Sequence, residues 1–517
     1  PHHAVAAFPV DAGGDGGAGC QCGQQGFLPR CRHMHDVIGG LALGILALAR
    51  VGNRQLGAIG QHQYAAVTGL PPTQGVEHGA VQHDACFGHG GELGAAFAQV
   101  GVLAEEVLGH ECVRVRIRSS LNTNVLGRWS MQITRLKLKN WRNFREADVP
   151  LAARTHILGA NASGKSNLLE VFRFLRTVAQ TDGGGVQKAV KDRDGLAKLR
   201  SLHARRDPEV RIEVELVDGS GVQSTQWRYV LGLKSEGKVQ QRVLISEERV
   251  EKDGQILLSR PDAGDQSDPE RLTQTHLEQI GSNLSFRPLA EFFAATTYLH
   301  LVPQLLKHGD EIGARIAESD PFGQGLMQRI AQTPKKTRDA RLRRIQKALA
   351  SAVPLFSELR FEQDPLSGLW HLEANFTHWR VHGSWQRENQ LSDGTLRLIG
   401  LLWALQESGG LLLLEEPEQS LNDAIIAHIP LLIDRVLRDR KRRGSARQVL
   451  ISTHSDILLQ NVDGDSQSLL IVPAENGSMI RPPDSGEQEQ MQHGLTPAEV
   501  LLPKTRPQGV DQLGLWA

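Results

Sequence analysis

The run Gly159-Ala160-Asn161-Ala162-Ser163-Gly164-Lys165-Ser166 fits the pattern G-x-x-x-x-G-K-[ST], and it constrains the fold because it works only between a strand and a helix. Both neighbours are predicted. Thr155-His156-Ile157-Leu158 reads as a short strand, and Leu168, Val171, Phe172 and Leu175 recur at helical spacing. Glycines in such a loop let backbone N–H groups turn toward phosphate oxygens, a lysine neutralises the β- and γ-phosphates, and a serine hydroxyl completes a Mg2+ shell. Gly159, Asn161, Ser163, Gly164, Lys165, Ser166 and Asn167 are therefore the candidate nucleotide-binding residues, with ATP and Mg2+ as the expected cofactors and Ser166 as one metal ligand.

The 517 residues allow two to three domains, and 40% apolar content is ordinary for a globular protein. A net charge of zero gives no global argument for nucleic acid or membrane. The apolar run from Val37 to Ala49 is too short to span a bilayer, so no membrane association is expected, and the need for ATP points to the cytoplasm. Composition changes abruptly at Met131. All five cysteines (Cys20, Cys22, Cys31, Cys86, Cys112) precede it and no lysine does. Residues 1–130 show no sustained period and are expected to form no folded domain. They are either a low-complexity extension or upstream DNA translated from a start placed too early, and the second is favoured. The cluster Cys20, Cys22, Cys31, His33 and His35 matches no usual zinc spacing.

From Met131 the chain is more regular. Ile133 to Leu138 alternates as a half-buried strand, Asn140-Trp141-Arg142-Asn143-Phe144 turns out of it, and a second strand leads to the phosphate loop. Residues from about 205 to 258 alternate with a period of two, predicting an antiparallel meander of four to six strands. About 276 to 356 reads as mostly helical. Seven of the fourteen residues Pro334 to Lys347 are basic, a solvated helix face or a phosphate-backbone contact. Arg435, Arg438, Arg440, Lys441, Arg442 and Arg443 make a second basic cluster, read as a solubilising helix end. Ser392 of Leu391-Ser392-Asp393-Gly394-Thr395 stands where a helix N-cap belongs. Leu411 to Leu414 is a buried strand running into Glu415-Glu416-Pro417-Glu418, and Gln448 to Ser452 is another, running into Thr453-His454-Ser455.

In this order the motifs resemble the RecF/SMC-like ATPases with ABC-type heads, over nearly all of residues 131–480. The resemblance implies an α/β P-loop NTPase core of ABC type with an antiparallel β lobe and an inserted helical lobe, followed by a tail over 481–517. It implies that Arg142 and Asn143 lie near the adenosine, and that Ser392 and Gly394 belong to a signature motif gripping the nucleotide of a second chain. Ser420-Leu421-Asn422 falls at the place of the D-loop. By the same resemblance Glu415 holds Mg2+ where related families usually carry aspartate, Glu416 polarises the attacking water, and His454 is the switch histidine. The implied activity is ATP hydrolysis coupled to ATP-dependent homodimerisation. DNA is a candidate partner, in repair, chromosome maintenance or phage defence, and so is a separately encoded nuclease or effector. The alternatives are the nucleotide-binding subunit of a transporter and a regulatory ATPase acting on protein.

Overall fold

The computed structural model describes residues 131–506 except for 205–206, 220–223, 238–241, 313–321, 324, 378–384, 443–446 and 463–465, together with 81–82, 116–117 and 512. Residues 1–123 and 124–517 are separate units. In the first, Val81–Gln82 pairs antiparallel with Arg116–Ile117. The expectations for residues 1–130, including the Cys20–His35 cluster, otherwise lie outside the described residues.

The second unit is built on two six-stranded sheets. Strands β1 (Gln132–Trp141), β2 (Phe144–Pro150), β4 (Val210–Asp218), β5 (Thr225–Ser235), β6 (Val243–Lys252) and β7 (Gln255–Arg260) form an antiparallel sheet in the order β2-β1-β4-β5-β6-β7. The other sheet combines β3 (Arg154–Gly159), β8 (Thr297–Leu299), β12 (Leu411–Glu415), β13 (Gln448–Ser452), β14 (Gln467–Ala474) and β15 (Gly477–Arg481), in the order β8-β12-β13-β3-β14-β15. All its pairings are parallel except the last. Between β8 and β12, a smaller antiparallel sheet contains β9 (Phe356–Gln363), β10 (Trp370–Phe376) and β11 (Trp385–Arg387).

Side chains leave a strand on alternate faces, so each buried strand of the parallel sheet serves two cores. Ile157, Leu411, Leu413, Leu450, Leu469 and Ile471 pack with the antiparallel lobe and with helix α1 (Lys165–Ala179). Their neighbours Leu158, Leu412, Leu414, Val449, Ile451 and Leu470 pack on the other face. There they meet α4 (Lys335–Ala352), α5 (Asp393–Gln406) and the three-stranded sheet. Gln448, fully buried, ties the two six-stranded sheets together: its amide accepts from Ile133 N at 2.9 Å and donates to Ile133 O at 2.7 Å and Ala152 O at 2.9 Å.

Two boundaries differ from the sequence expectation. Residues 276–356 supply helices α2 (Arg287–Ala294), α3 (Pro303–Ile312) and α4, but they also supply β8, an edge strand of the mostly parallel sheet. Three residues are too few to display a period of two. The expected tail after 480 instead continues into α6 (Ser485–Gln492) and α7 (Pro497–Leu501), with Leu501 fully buried in the second core. Each of these helices opens on a capping box, Asp484 with Glu487 and Thr496 with Glu499, which is the sequence signal that marks them.

Candidate functional site

Ligands of an open α/β sheet bind at the carboxyl ends of its strands, and here three neighbouring strands end together. Register places Glu415 of β12 beside Ser452 of β13, and Ser452 beside Ile157 of β3, from which the chain enters the glycine-rich loop. Gly164 closes that loop at φ 113°, where a side chain would also collide with the Asn143 amide. Helix α1 starts at Lys165 with no side-chain cap and no acid in its first turn. Its first N–H groups and the positive end of its dipole are thus offered to an anion. They face a cavity of about 350 Å3 lined by Asn161, Gly164, Lys165, Ser166, Asn167 and Glu416, with Ala160 and Ala162. The Lys165 ammonium is folded onto the loop, donating to Gly159 O at 2.9 Å and Ala160 O at 3.2 Å. Burial lowers its pKa, while Glu416, Glu415 and Glu418 act in the opposite sense.

The acids are held individually. Ser166 Oγ donates to one oxygen of Glu415, and the Tyr298 phenol on β8 donates to the other at 2.6 Å. Burial, then the charge of Glu415, push the Tyr298 phenol above its ordinary value, so it remains a proton donor. Glu416 adopts φ 45°, an unusual backbone for a residue with a side chain, and its N–H donates to Ser452 O at 3.0 Å. One oxygen of its carboxylate lies 3.3 Å from His454 Nδ1, and the other accepts from the Gln419 amide. Glu418 is 7% exposed and accepts from Thr453 Oγ at 2.6 Å and from the His454 N–H at 3.4 Å. Burial raises its pKa. It therefore anchors the segment that presents His454.

The remaining expected residues are not in the cavity wall. Gly159 and Ser163 form the inner side of the loop, where Ser163 N donates to Ala160 O at 3.1 Å. Asn143 lies behind it, donating to Ser163 O at 2.7 Å and accepting from Asn167 Nδ2 at 2.8 Å, so its amide joins the loop to the start of α1. Arg142 takes φ 49° in the turn, its N–H bonded to Leu199 O at 2.6 Å. Ser392 caps α5, accepting from Thr395 N at 3.2 Å, and Gly394 abuts the Ser420 carbonyl of the D-loop position, leaving no room for a side chain. Asp393 is held by Lys307 at 2.7 Å and Gln304 at 2.6 Å, both from α3. Tyr298, Gln419 and Glu418 escape sequence reasoning, although Glu418 belongs to the run of acids that follows Leu414.

The residues present fit a nucleoside triphosphate with a divalent cation. An uncapped helix start beside a buried ammonium suits phosphate oxygens. A serine that donates its proton to Glu415 keeps lone pairs for a hard cation. Among the described residues no group of three or more His, Cys, Asp or Glu is arranged to hold a metal.

The chain is similar to several known proteins. The family model described as "AAA domain, putative AbiEii toxin, Type IV TA system" matches residues 155–460. The chain is similar to the DNA replication and repair protein RecF of Agathobacter rectalis, 30% identical over 87 residues, which is 17% of this chain and 24% of that protein. It is also similar to RecF of Brucella abortus, 34% identical over 94 residues, 17% of this chain and 23% of the relative. The chain thus spans about a quarter of the length of the curated relatives it matches. Among solved structures it is similar to an Smc head bound to the C-terminal winged-helix domain of ScpA, at 16% identity, 69% of this chain, 99% of the other and a TM-score of 0.45. The SMC head domain from Thermotoga maritima matches at 16% identity, 68% of this chain, 99% of the other and a TM-score of 0.36. Among the described residues no helix is long and apolar enough to cross a membrane.

Proposed function

Because the chain belongs to the AAA-domain family, within the ABC-type ATPases of RecF/SMC-like kind, we propose that it binds ATP with Mg2+ and hydrolyses it to ADP and phosphate in the cytoplasm. The observation that carries this reading is the meeting of Lys165, Ser166, Glu415, Glu416 and His454 at the ends of three adjacent strands. Lys165 and the amides at the start of α1 bind and orient the phosphates. Ser166 and Glu415 hold the cation, which when bound supplies Lewis-acid charge stabilisation. Glu416 orients the attacking water and takes up its proton, and His454 with Gln419 fixes the direction of that carboxylate. We assign residues 131–480, together with α6 and α7 that add Leu501 to its second core, as the ATPase head.

The same reading extends to assembly. Ser392 and Gly394 do not line the cavity of their own chain, and on the family resemblance we place them in the site of a second copy, giving an ATP-dependent homodimer. DNA is the partner we favour. The exposed side of α4 carries Lys335, Lys336, Arg343, Arg344 and Lys347, and the curated relatives are named for DNA replication and repair. A separately encoded nuclease or effector is a further candidate partner. The deciding experiment measures phosphate release by the purified chain with Mg2+ and ATP, with and without duplex DNA. No hydrolysis under either condition refutes the ATPase reading. Hydrolysis indifferent to DNA refutes only the choice of partner.

A further inference from the structure

We propose that Tyr298 is a positioning residue for the cation: it fixes the carboxylate of Glu415 in the one orientation from which, with Ser166, it can hold Mg2+. The proposal rests on the ATP·Mg2+ reading of this site. Glutamate carries one more rotatable bond than aspartate, so a glutamate at the end of a strand must be restrained before it can serve as a defined ligand. Here the restraint comes from both sides. Ser166, at the start of α1, donates to one oxygen, and Tyr298 donates to the other at 2.6 Å. With both oxygens engaged, the plane of the carboxylate is set.

The tyrosine is itself held. Its backbone is in register with Leu413, two residues before Glu415, and the residue is 7% exposed. The Arg173 guanidinium lies 4.3 Å from the ring centroid. Arg173 in turn is salt-bridged at 2.5 Å to Glu170, which also pairs with Arg193 at 2.6 Å. A cation over the ring draws electron density from it and strengthens the O–H as a donor. Helix α1 therefore reaches Glu415 by two routes, directly through Ser166 and indirectly through Arg173 and Tyr298. A tyrosine placed only to fill the core would need neither the hydroxyl nor its aim at an acid.

The test uses Mn2+ as the cation probe and a fluorescent N-methylanthraniloyl ATP as the nucleotide, following free Mn2+ by electron paramagnetic resonance. Tyr298→Phe removes one oxygen and keeps the packing. It is expected to raise the Mn2+ midpoint in the presence of nucleotide about tenfold, while nucleotide binding in EDTA stays unchanged. In a Glu415→Asp background the shorter carboxylate is withdrawn from the phenol, and the same change is expected to shift the midpoint less than about twofold. An unchanged midpoint in the single variant overturns the proposal, as does an equal shift in both backgrounds, which would make Tyr298 a packing residue. Failure of the wild-type chain to bind nucleotide at all would instead refute the ATP reading, and the proposal with it.

Discussion

His454 Nδ1 lies 3.3 Å from Glu416 Oε1, joining the segment after β13 to the segment after β12. A carboxylate held in this way is oriented before any ligand arrives. Glu416→Gln keeps the shape of the side chain and removes its basicity, so ATP binding should persist while hydrolysis falls by ~10²–10⁴-fold. Lys165→Ala should instead weaken ATP binding itself. Equilibrium nucleotide binding and single-turnover phosphate release separate the two outcomes, and equal loss of binding in both variants would undo the assignment of roles.

Acid should destabilise the fold in two separate windows. Glu213, 3% exposed, is bonded to Lys137 at 2.8 Å, Arg228 at 2.9 Å and Arg211 at 3.0 Å. Burial opposes its ionisation, but Arg228 and Lys137 outweigh burial and bring its carboxyl from 4.5 down to about 2. A carboxyl lowered by folding contributes stability that is complete above 4.5 and lost as pH falls toward 2. His156 acts at higher pH. Burial, then the charge of Arg154, lower it from 6.5 to about 4, so the folded chain favours the neutral ring and loses stability as pH falls from 6.5 to 4. Urea unfolding at stepped pH should show a flatter profile in the upper window for His156→Leu and in the lower window for Glu213→Gln.

The basic helix α4 divides by face, and its residues should respond differently to substitution. Arg338 is 9% exposed, with its guanidinium 4.7 Å from the Trp370 ring and 5.5 Å from Phe361, and Arg341 lies 5.2 Å from the Trp403 ring. Arg343 and Arg344 are exposed. Reversing both to glutamate should reduce the slope of log K for DNA against log salt by about one for each phosphate that is no longer neutralised. Arg338→Ala should lower the thermal midpoint and leave that slope alone. An unchanged slope in the double reversal would return the exposed face to a solubilising role.

If Ser392 acts on the nucleotide of a second chain, sites can be rebuilt by mixing damaged chains. Lys165→Ala and Ser392→Arg should each be inactive alone, and their mixture should recover part of the ATPase activity through heterodimers with one intact site. Light scattering of Glu416→Gln should show a dimer with ATP and a monomer with ADP. Full activity and ATP-driven dimerisation in Ser392→Arg alone would reduce Ser392 to the helix cap seen in its bond with Thr395.

What can be read from the sequence is whatever local chemistry encodes. The loop from Gly159 to Ser166 needs a strand and a helix, Ser392 needs a helix to cap, and Leu411 to Leu414 needs burial, so each motif carries its own context. What cannot be read depends on distant partners. Tyr298 meets Glu415 across 117 positions from a strand of three residues, and nothing near it in the chain announces that contact. Asn143 is expected near the nucleotide only through the family resemblance, and nothing near it in the chain announces that its amide bonds the Ser163 carbonyl of the loop and the Asn167 side chain of α1. The sheet of β9, β10 and β11 is absent from the sequence reading although β9 and β10 are a local hairpin, because the helical reading runs through to residue 356 and the third strand has only three residues.

The division of the parallel sheet between two cores also bears on how such a chain can change over generations. Leu411 and Leu413 answer to one set of neighbours, and Leu412 and Leu414 to another, yet all four lead to the same Glu415. A lineage can therefore rebuild the material on one face, exchanging helices or adding arms, while selection on the opposite face holds the strand ends in register. The sheet then works as a chassis whose upper and lower bodywork are inherited separately, and the chemistry at its rim can outlast the architecture on either side.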